Sequence, residues 1–190
     1  MKRETVSDDH DITVLLRQWH AGDPAAGEEI FRLLMPDLKR IAQRCLRRER
    51  PGHTLQSTEL LNEGYMKLAE ANPAIDWRDR GHFFAICTIK LRRFLIDYAR
   101  RKPKLEFLSI EDLPEGIMAG RNRMEVRLAV DRLLDELEKE APMACAVLVA
   151  KIYIGYDVKE IAKTFDLSLR STERHLHDGR KWLFARLSKV

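Results

Sequence analysis

Glycine and proline, which mark β-rich or disordered chains, are scarce in this sequence. Its 190 residues include only nine glycines and seven prolines, whereas 45% of the residues are hydrophobic and 34% are charged. These proportions are typical of a chain that folds around a packed core. At this length we expect one ordinary domain or two small ones, which excludes a large multidomain enzyme.

Long apolar runs are also missing. No stretch approaches the roughly 20 apolar residues that cross a bilayer, and the N-terminal segment MKRETVSDDHD lacks the apolar centre of a signal peptide. We therefore expect a cytoplasmic protein that makes no contact with a membrane.

The residues that build disulfides, metal sites and catalytic centres are few and widely spaced. Cys45, Cys87 and Cys145 form no C-x-x-C pair, and the six histidines show no H-x-x-x-H spacing. We expect the cysteines to be small buried side chains rather than parts of a disulfide framework or zinc site. No phosphate-binding loop or nucleophile motif is present either. The sequence therefore predicts no enzyme activity, no metal and no cofactor.

What the sequence does contain is helical periodicity. Apolar residues recur at intervals of three and four over residues 12–19, 30–45, 60–68 and 83–98, and again from residue 124 onward. No strand-like alternation persists, and residues 104–123 carry no sustained apolar stripe. We therefore predict an all-α protein of two small helical domains, 10–102 and 125–190, joined by a flexible linker over residues 103–124.

The sharpest local pattern predicts a helix-turn-helix near the C-terminus. Asp157 and Glu160 have the spacing of a capping box, and Ser168 is placed to cap a second helix. The residues expected to face inward are Val158, Ile161, Ala162 and Phe165 on the first helix and Leu169, Thr172, Leu176 and Leu183 on the second.

Long polar side chains occupy the outer face at the start of that second helix, where a recognition helix meets base edges in the major groove. Arg170 and Arg174 are the best candidates for reading guanine, and Glu173 can accept from cytosine or orient an arginine. The alternative is a helical hairpin whose charged face is merely solvated. The candidate base-reading residues are Arg170, Ser171, Glu173, Arg174 and His177.

A second constellation combines cations with aromatic rings. The segment KLRRFLIDYARRKPK, residues 90–104, places seven positive charges against Asp97 alone, so the small overall excess of four becomes local. Such a combination stacks unpaired bases and neutralises their backbone. The alternative is that the phenylalanines are core residues and the basic run is a solvated helix end. The candidate contacts are Trp77, Arg78, Arg80, Phe83, Lys90, Arg92, Arg93, Arg100 and Arg101.

Three motifs, taken together, resemble bacterial RNA polymerase sigma factors of the extracytoplasmic-function (ECF) group. They are ELLNEGYMKL at 59–68, HFFAICTIKLRRFLIDYARR at 82–101 with its I-D-Y-x-R-R ending, and VKEIAKTFDLS at 158–168. Residues 10–102 resemble sigma region 2 and residues 125–188 resemble region 4.

The resemblance implies a protein that binds core RNA polymerase and promoter DNA and helps to open the promoter. Region 2 would hold the minus-10 element with the basic aromatic residues, and the helix-turn-helix would read the minus-35 element. The polymerase partners would be the β′ clamp helices and the β flap. The residues that would meet the clamp helices are Glu59, Leu60, Asn62, Glu63 and Tyr65.

The sequence departs from the family pattern in two places. Arg93 replaces a common asparagine, which affects the expected base preference at minus-10. Gln56, Ser57, Thr58 and Glu59 stand where many members carry D-A-E-D. A phosphate on Thr58, or on Ser57 as the second candidate, would restore negative charge at the positive end of a helix dipole. The resemblance therefore suggests control by a Ser/Thr protein kinase, with an anti-sigma factor as the other candidate regulator and a plain helix cap as the simpler role for Thr58.

A stand-alone helix-turn-helix regulator that binds duplex DNA is the competing function. It accounts for the C-terminal half but leaves the basic aromatic helix without a role. Co-purification with core polymerase distinguishes the two functions.

Overall fold

A computed structural model describes residues 6–47, 57–101 and 123–188, and these residues are helical throughout apart from short connections. The prediction of an all-α fold is confirmed, and no helix in these ranges is both long and apolar enough to cross a bilayer. Most of the predicted linker, residues 103–122, lies outside the described residues, while its last two residues already belong to a helix. The helices are α1 (Val6–His20), α2 (Pro24–Arg47), α3 (Ser57–Ala71), α4 (Arg80–Arg101), α5 (Arg123–Glu140), α6 (Pro142–Val149), α7 (Val158–Thr164) and α8 (Leu169–Leu187).

The N-terminal half is built from α1 to α4, each packed on the next. Asp23 accepts the Ala25 N–H at 2.9 Å through its side chain, so it caps α2 directly before Pro24. Gly27 lets α2 approach α1 closely, because a Cβ there would lie 2.5 Å from Trp19 Nε1. The buried apolar stripe of α2 includes Ile30, Leu34, Leu38 and Ile41.

An aromatic cluster fixes the connection between α3 and α4. Trp77 stacks on Trp19 with ring centroids 5.7 Å apart. Asn72 joins the same two residues, since its Oδ1 accepts from Trp77 Nε1 at 2.7 Å and its Nδ2 donates to the Trp19 carbonyl at 2.8 Å. Phe83 packs on Trp77 and Phe31 at 5.7 and 5.8 Å. The start of α4 is therefore held rigidly against the core.

The C-terminal half surrounds α6, whose residues from Ala144 to Val149 are all buried. A helix that is apolar on every side lies at the centre of a fold, and α5 and α8 both pack on it. It continues into a π-helical turn, Ala150–Ile154, which ends where Gly155 adopts a φ of 76°. Gly179 of α8 brings that helix close to α6, where an added Cβ would lie 3.2 Å from the Ala144 carbonyl.

The two halves pack against each other. Helix α4 lies on α6, the end of α2 lies on the π-helical turn, and buried residues of both halves form one continuous apolar cluster. Cys87 and Cys145, which belong to this cluster, are free and buried as predicted. Burial raises the pKa of the Cys145 thiol to about 12, while the side chain of Cys45 lies outside the described residues.

Candidate nucleic-acid interface

The helix-turn-helix has the caps that its sequence predicts. Asp157 accepts the Glu160 N–H at 2.8 Å, and the Glu160 side chain accepts the Asp157 N–H at 2.9 Å, which completes a capping box. Ser168 caps α8 by accepting the Ser171 N–H at 3.0 Å. Between the helices Asp166 takes a left-handed φ of 52°.

The inner face of this motif matches the prediction at all but one position. Ile161 and Ala162 of α7, Phe165 directly after it, and Thr172, Leu176 and Leu183 of α8 are buried, and Val158 is partly buried against the core. The prediction that Leu169 faces inward is wrong, because its side chain is 49% exposed. Leu169 is the first residue of α8 and directly follows the Ser168 cap.

Four of the five predicted base-reading side chains form an exposed row on the first turns of α8: Arg170, Glu173, Arg174 and His177. Ser171 is half-buried, and its backbone and hydroxyl both bond Ser168. Burial, followed by the charge of Arg174, lowers the pKa of the neighbouring His175, so this imidazole is neutral at neutral pH. The row presents the cations of Arg170 and Arg174 and the carboxylate of Glu173 on a helix whose first turn is capped by Ser168.

Two of the rings predicted to stack on bases are core residues instead. Trp77 is 5% exposed and Phe83 is fully buried, both inside the aromatic cluster described above. The alternative interpretation, in which the phenylalanines are core residues, is confirmed for Phe83 and Phe84. The physical reason is that the α3–α4 connection needs these rings to seal the N-terminal core.

The cations near the start of α4 differ in accessibility. Arg78 is exposed. Arg80 is half-buried, donates to Asp37 at 2.7 Å and lies 4.8 Å above the Phe84 ring. Burial, followed by the charge of Arg78, lowers the pKa of His82. Arg78 is therefore the accessible cation of this group for a polyanion.

Further along α4, two predicted DNA-binding arginines face α5. The Arg92 side chain has no exposed surface; its Nη1 donates to the Asp131 carbonyl at 3.2 Å and its Nη2 contacts the Asp135 carboxylate. Arg93 Nη2 donates to Glu138 at 2.5 Å. Contact of these two arginines with DNA stays a prediction; the Arg93 side chain is 40% exposed, whereas that of Arg92 is covered. Lys90 is half-buried, whereas the side chains of Arg100 and Arg101 lie outside the described residues.

The predicted polymerase-binding residues all belong to α3. Asn62 is exposed, and Tyr65 is half-buried with its ring edge-on to Phe31 at 4.4 Å. The side chains of Glu59, Leu60 and Glu63 lie outside the described residues. So does the side chain of Thr58, whose backbone occupies the second position of α3. In the described parts of the chain, no group of three or more potential ligands is arranged to hold a metal ion.

Comparison with protein families decides the identity of the chain. Residues 9–189 match the family described as ECF sigma factor. The chain belongs to the ECF sigma factor family. It is therefore a transcription initiation factor, and the resemblance drawn from its motifs is confirmed. No curated protein matches this sigma factor.

One solved structure similar to this sigma factor is that of CnrH in complex with the cytosolic domain of CnrY. The alignment covers 94% of this chain and 98% of that chain, with 18% sequence identity and a TM-score of 0.40. A likeness at this level carries no further argument.

The contacts between the two halves of the sigma factor escaped sequence reasoning. Arg44 of α2 donates to both oxygens of Glu160, at 2.5 and 2.8 Å, and lies 4.7 Å above the Tyr156 ring. The bond to Arg44 lowers the pKa of Glu160. No pattern marks Arg44, because its partner lies 116 residues away. The acids of α5 do leave a signal, since Asp131, Asp135 and Glu138 recur at helical spacing.

Proposed function

We propose that this sigma factor binds core RNA polymerase, recognises the minus-35 and minus-10 elements of a promoter and assists DNA opening. The observation that carries the proposal is the exposed row on α8, held by the Ser168 cap and by the buried residues Thr172 and Leu176. A firmly anchored helix with outward arginines suits direct readout in the major groove.

The minus-35 element is the duplex target of α8. Arg170 and Arg174 are proposed to donate to guanine, and Glu173 to accept from cytosine or to orient one of the arginines. Lys181, exposed further along α8, is placed for phosphates. The four-residue row therefore supplies specificity, while the more distant cations supply affinity that depends on salt.

The minus-10 element is the proposed target of the exposed Arg78 and of the basic length of α4. With Trp77 and Phe83 committed to the core, this surface binds chiefly through cations, so its share of the affinity comes from phosphate neutralisation rather than from base stacking. Strand separation costs about 1.4 kcal/mol per base step, so a domain of this size requires polymerase to open a promoter.

Helix α3 is the proposed contact with the β′ clamp helices, and the helix-turn-helix domain is the proposed contact with the β flap. Thr58 lies in the first turn of α3, where a phosphate brings roughly −1.5 to −2 charges to the positive end of the helix dipole. A Ser/Thr kinase is therefore the proposed regulator, and an anti-sigma factor is the competing one.

In vitro transcription with purified core polymerase on genomic DNA tests the function. We expect discrete transcripts only when the chain is added. Arg174→Ala should cost about 1–3 kcal/mol of promoter affinity and relax the base preference at one position, whereas Lys181→Ala should weaken all sequences alike. Duplex binding without any stimulated transcription would favour the stand-alone regulator.

The proposed regulation by phosphorylation is tested by measuring the affinity of core polymerase for the wild type and for Thr58→Glu, Thr58→Ala and Thr58→Gln. The glutamate should bind most tightly because it adds charge, and the glutamine controls for side-chain size. Equal affinities for all four chains would exclude a charge switch at Thr58.

A further inference from the structure

Part of the proposed minus-10 surface, Arg92 and Arg93, is paired with another part of the same chain. Asp131, Asp135 and Glu138 lie on one face of α5, at i, i+4 and i+7, and we call them the acidic stripe. Arg92 of α4 contacts Asp131 and Asp135, and Arg93 contacts Asp135 and Glu138. Every ion-pair partner that the structure gives these two arginines belongs to the stripe.

We propose that the acidic stripe competes with promoter DNA for α4, so that the free sigma factor adopts a closed, autoinhibited state. The proposal rests on the proposed role of α4 in binding the minus-10 element. Carboxylate oxygens pair with a guanidinium in the same planar geometry as phosphate oxygens do. The stripe therefore occupies the positions that the DNA backbone needs.

Two further contacts hold the C-terminal half in this place. Arg44 bonds both oxygens of Glu160, so it joins α2 to the capping box of α7. Gly81, the second residue of α4, lies against the turn of the helix-turn-helix, and a Cβ there would lie only 2.0 Å from the Phe165 carbonyl oxygen. No residue with a side chain at position 81 fits this arrangement.

The closed state is selective in what it covers. Arg170 and Arg174 on α8 stay exposed, whereas Arg92 is fully buried. The buried Arg92 also keeps its Nε without a hydrogen-bond partner, which weakens the closed state because an unsatisfied buried donor costs free energy. A competitor that offers Arg92 complete pairing, such as DNA presented by polymerase, can therefore open the chain.

Gly81→Ala is the variant that tests closure. Alanine forms helices better than glycine, so α4 itself is not weakened, but the added methyl group collides with the Phe165 carbonyl. Gly64→Ala is the matched control, because its methyl group meets only Leu91 Cδ2 at 3.6 Å, an ordinary contact inside the N-terminal half.

Small-angle X-ray scattering of the full chain measures whether the two halves separate. The wild type and Gly64→Ala should have a radius of gyration near that of a compact chain of this length, about 16 Å, and Gly81→Ala should be larger. An unchanged radius for Gly81→Ala, together with an unchanged radius for the double variant Asp135→Asn/Glu138→Gln, would overturn the closed state.

A second experiment measures whether opening exposes α4 to DNA. It follows the binding of a labelled single-stranded oligonucleotide of random sequence by fluorescence anisotropy, without polymerase. If about a tenth of the wild type is open, Gly81→Ala should bind roughly tenfold more tightly. Asp135→Asn/Glu138→Gln should gain affinity in the same direction, whereas Glu136→Gln, an exposed change elsewhere on α5, should match the wild type.

The two proposals fail in different ways. An expanded Gly81→Ala chain that binds the single strand no better than the wild type overturns autoinhibition, while in vitro transcription by the wild type continues to support the sigma-factor mechanism. Conversely, if core polymerase gives no transcript with the wild type or any opened variant, the proposed function is lost, whatever the scattering shows.

Discussion

Arg92 combines complete burial with incomplete hydrogen bonding. Its two Nη atoms reach Asp131 and Asp135, while its Nε has no partner. Removing one of these acids leaves the buried Arg92 charge with less compensation, which destabilises the fold. The same carboxylate of Asp131 also accepts from Tyr153, and burial, followed by the Asp131 charge, raises the pKa of Tyr153 well above its usual range. The contact between Arg92 of α4 and Asp131 of α5 therefore links the stability of the chain to the packing of its two halves.

Trp77 shows that a single side chain can be suited to two roles, of which the fold selects one. It stands directly before Arg78 in the sequence, in a segment that mixes rings and cations, but its indole N–H bonds Asn72 and its ring stacks on Trp19. Composition alone could not separate these roles, because the partner tryptophan is 58 residues away.

Replacing Trp77 by alanine tests its structural role. We expect the free energy of unfolding to fall by about 3–5 kcal/mol, since a buried aromatic ring is lost and a cavity is left. Urea unfolding followed by circular dichroism measures the change. Arg78→Ala, at the exposed neighbouring position, should shift stability by no more than about 0.5 kcal/mol. Equal stability of the two variants would mean that Trp77 is not a core residue.

Within single helices, the caps can be predicted from the sequence, whereas the end of a helix is harder to predict. The capping box of α7 and the Ser168 cap of α8 were readable because each joins residues three apart. The periodicity also gave the buried residues of both helices. Leu169 was assigned to the wrong side because a helix pattern does not reveal where the neighbouring helix ends, and α7 ends at Thr164.

The cap of α7 yields a second prediction. Asp157→Ala should destabilise the chain by about 1 kcal/mol, because the Glu160 N–H loses its acceptor. Asp157→Asn should stay close to the wild type, since asparagine caps helices about as well as aspartate. Thermal unfolding distinguishes the variants. The prediction fails if alanine and asparagine behave alike at this position.

For the whole molecule, the sequence predicts two helical domains but not how the helices of one contact those of the other. Helical period specifies which face of each helix is buried, whereas the partner of that face depends on contacts across most of the chain. Arg44 with Glu160 and Gly81 with Phe165 are such contacts. Glycine at position 81 gives no local signal, because its function is to make room for the backbone of a distant turn.

Closure of the whole molecule should alter how salt affects DNA binding. For a single strand, the slope of log K against log salt is about −0.7 for each phosphate that the protein neutralises. In the closed chain Arg92 and Arg93 are already paired with the acidic stripe, and salt weakens that pairing as well as the pairing with DNA. We therefore expect the plot of log K against log salt to be shallower for the wild type than for Gly81→Ala, by roughly 0.7 to 1.4 for two arginines.

Anisotropy titrations from about 50 to about 200 mM salt, a range over which such contacts change affinity strongly, measure both slopes. Gly64→Ala should reproduce the wild-type slope, because its methyl group leaves the contact between the halves intact. Parallel plots for the wild type and Gly81→Ala would mean that α4 presents the same number of available cations in both chains. In that case the acidic stripe would not be competing with DNA for Arg92 and Arg93, even if the two halves remained in contact.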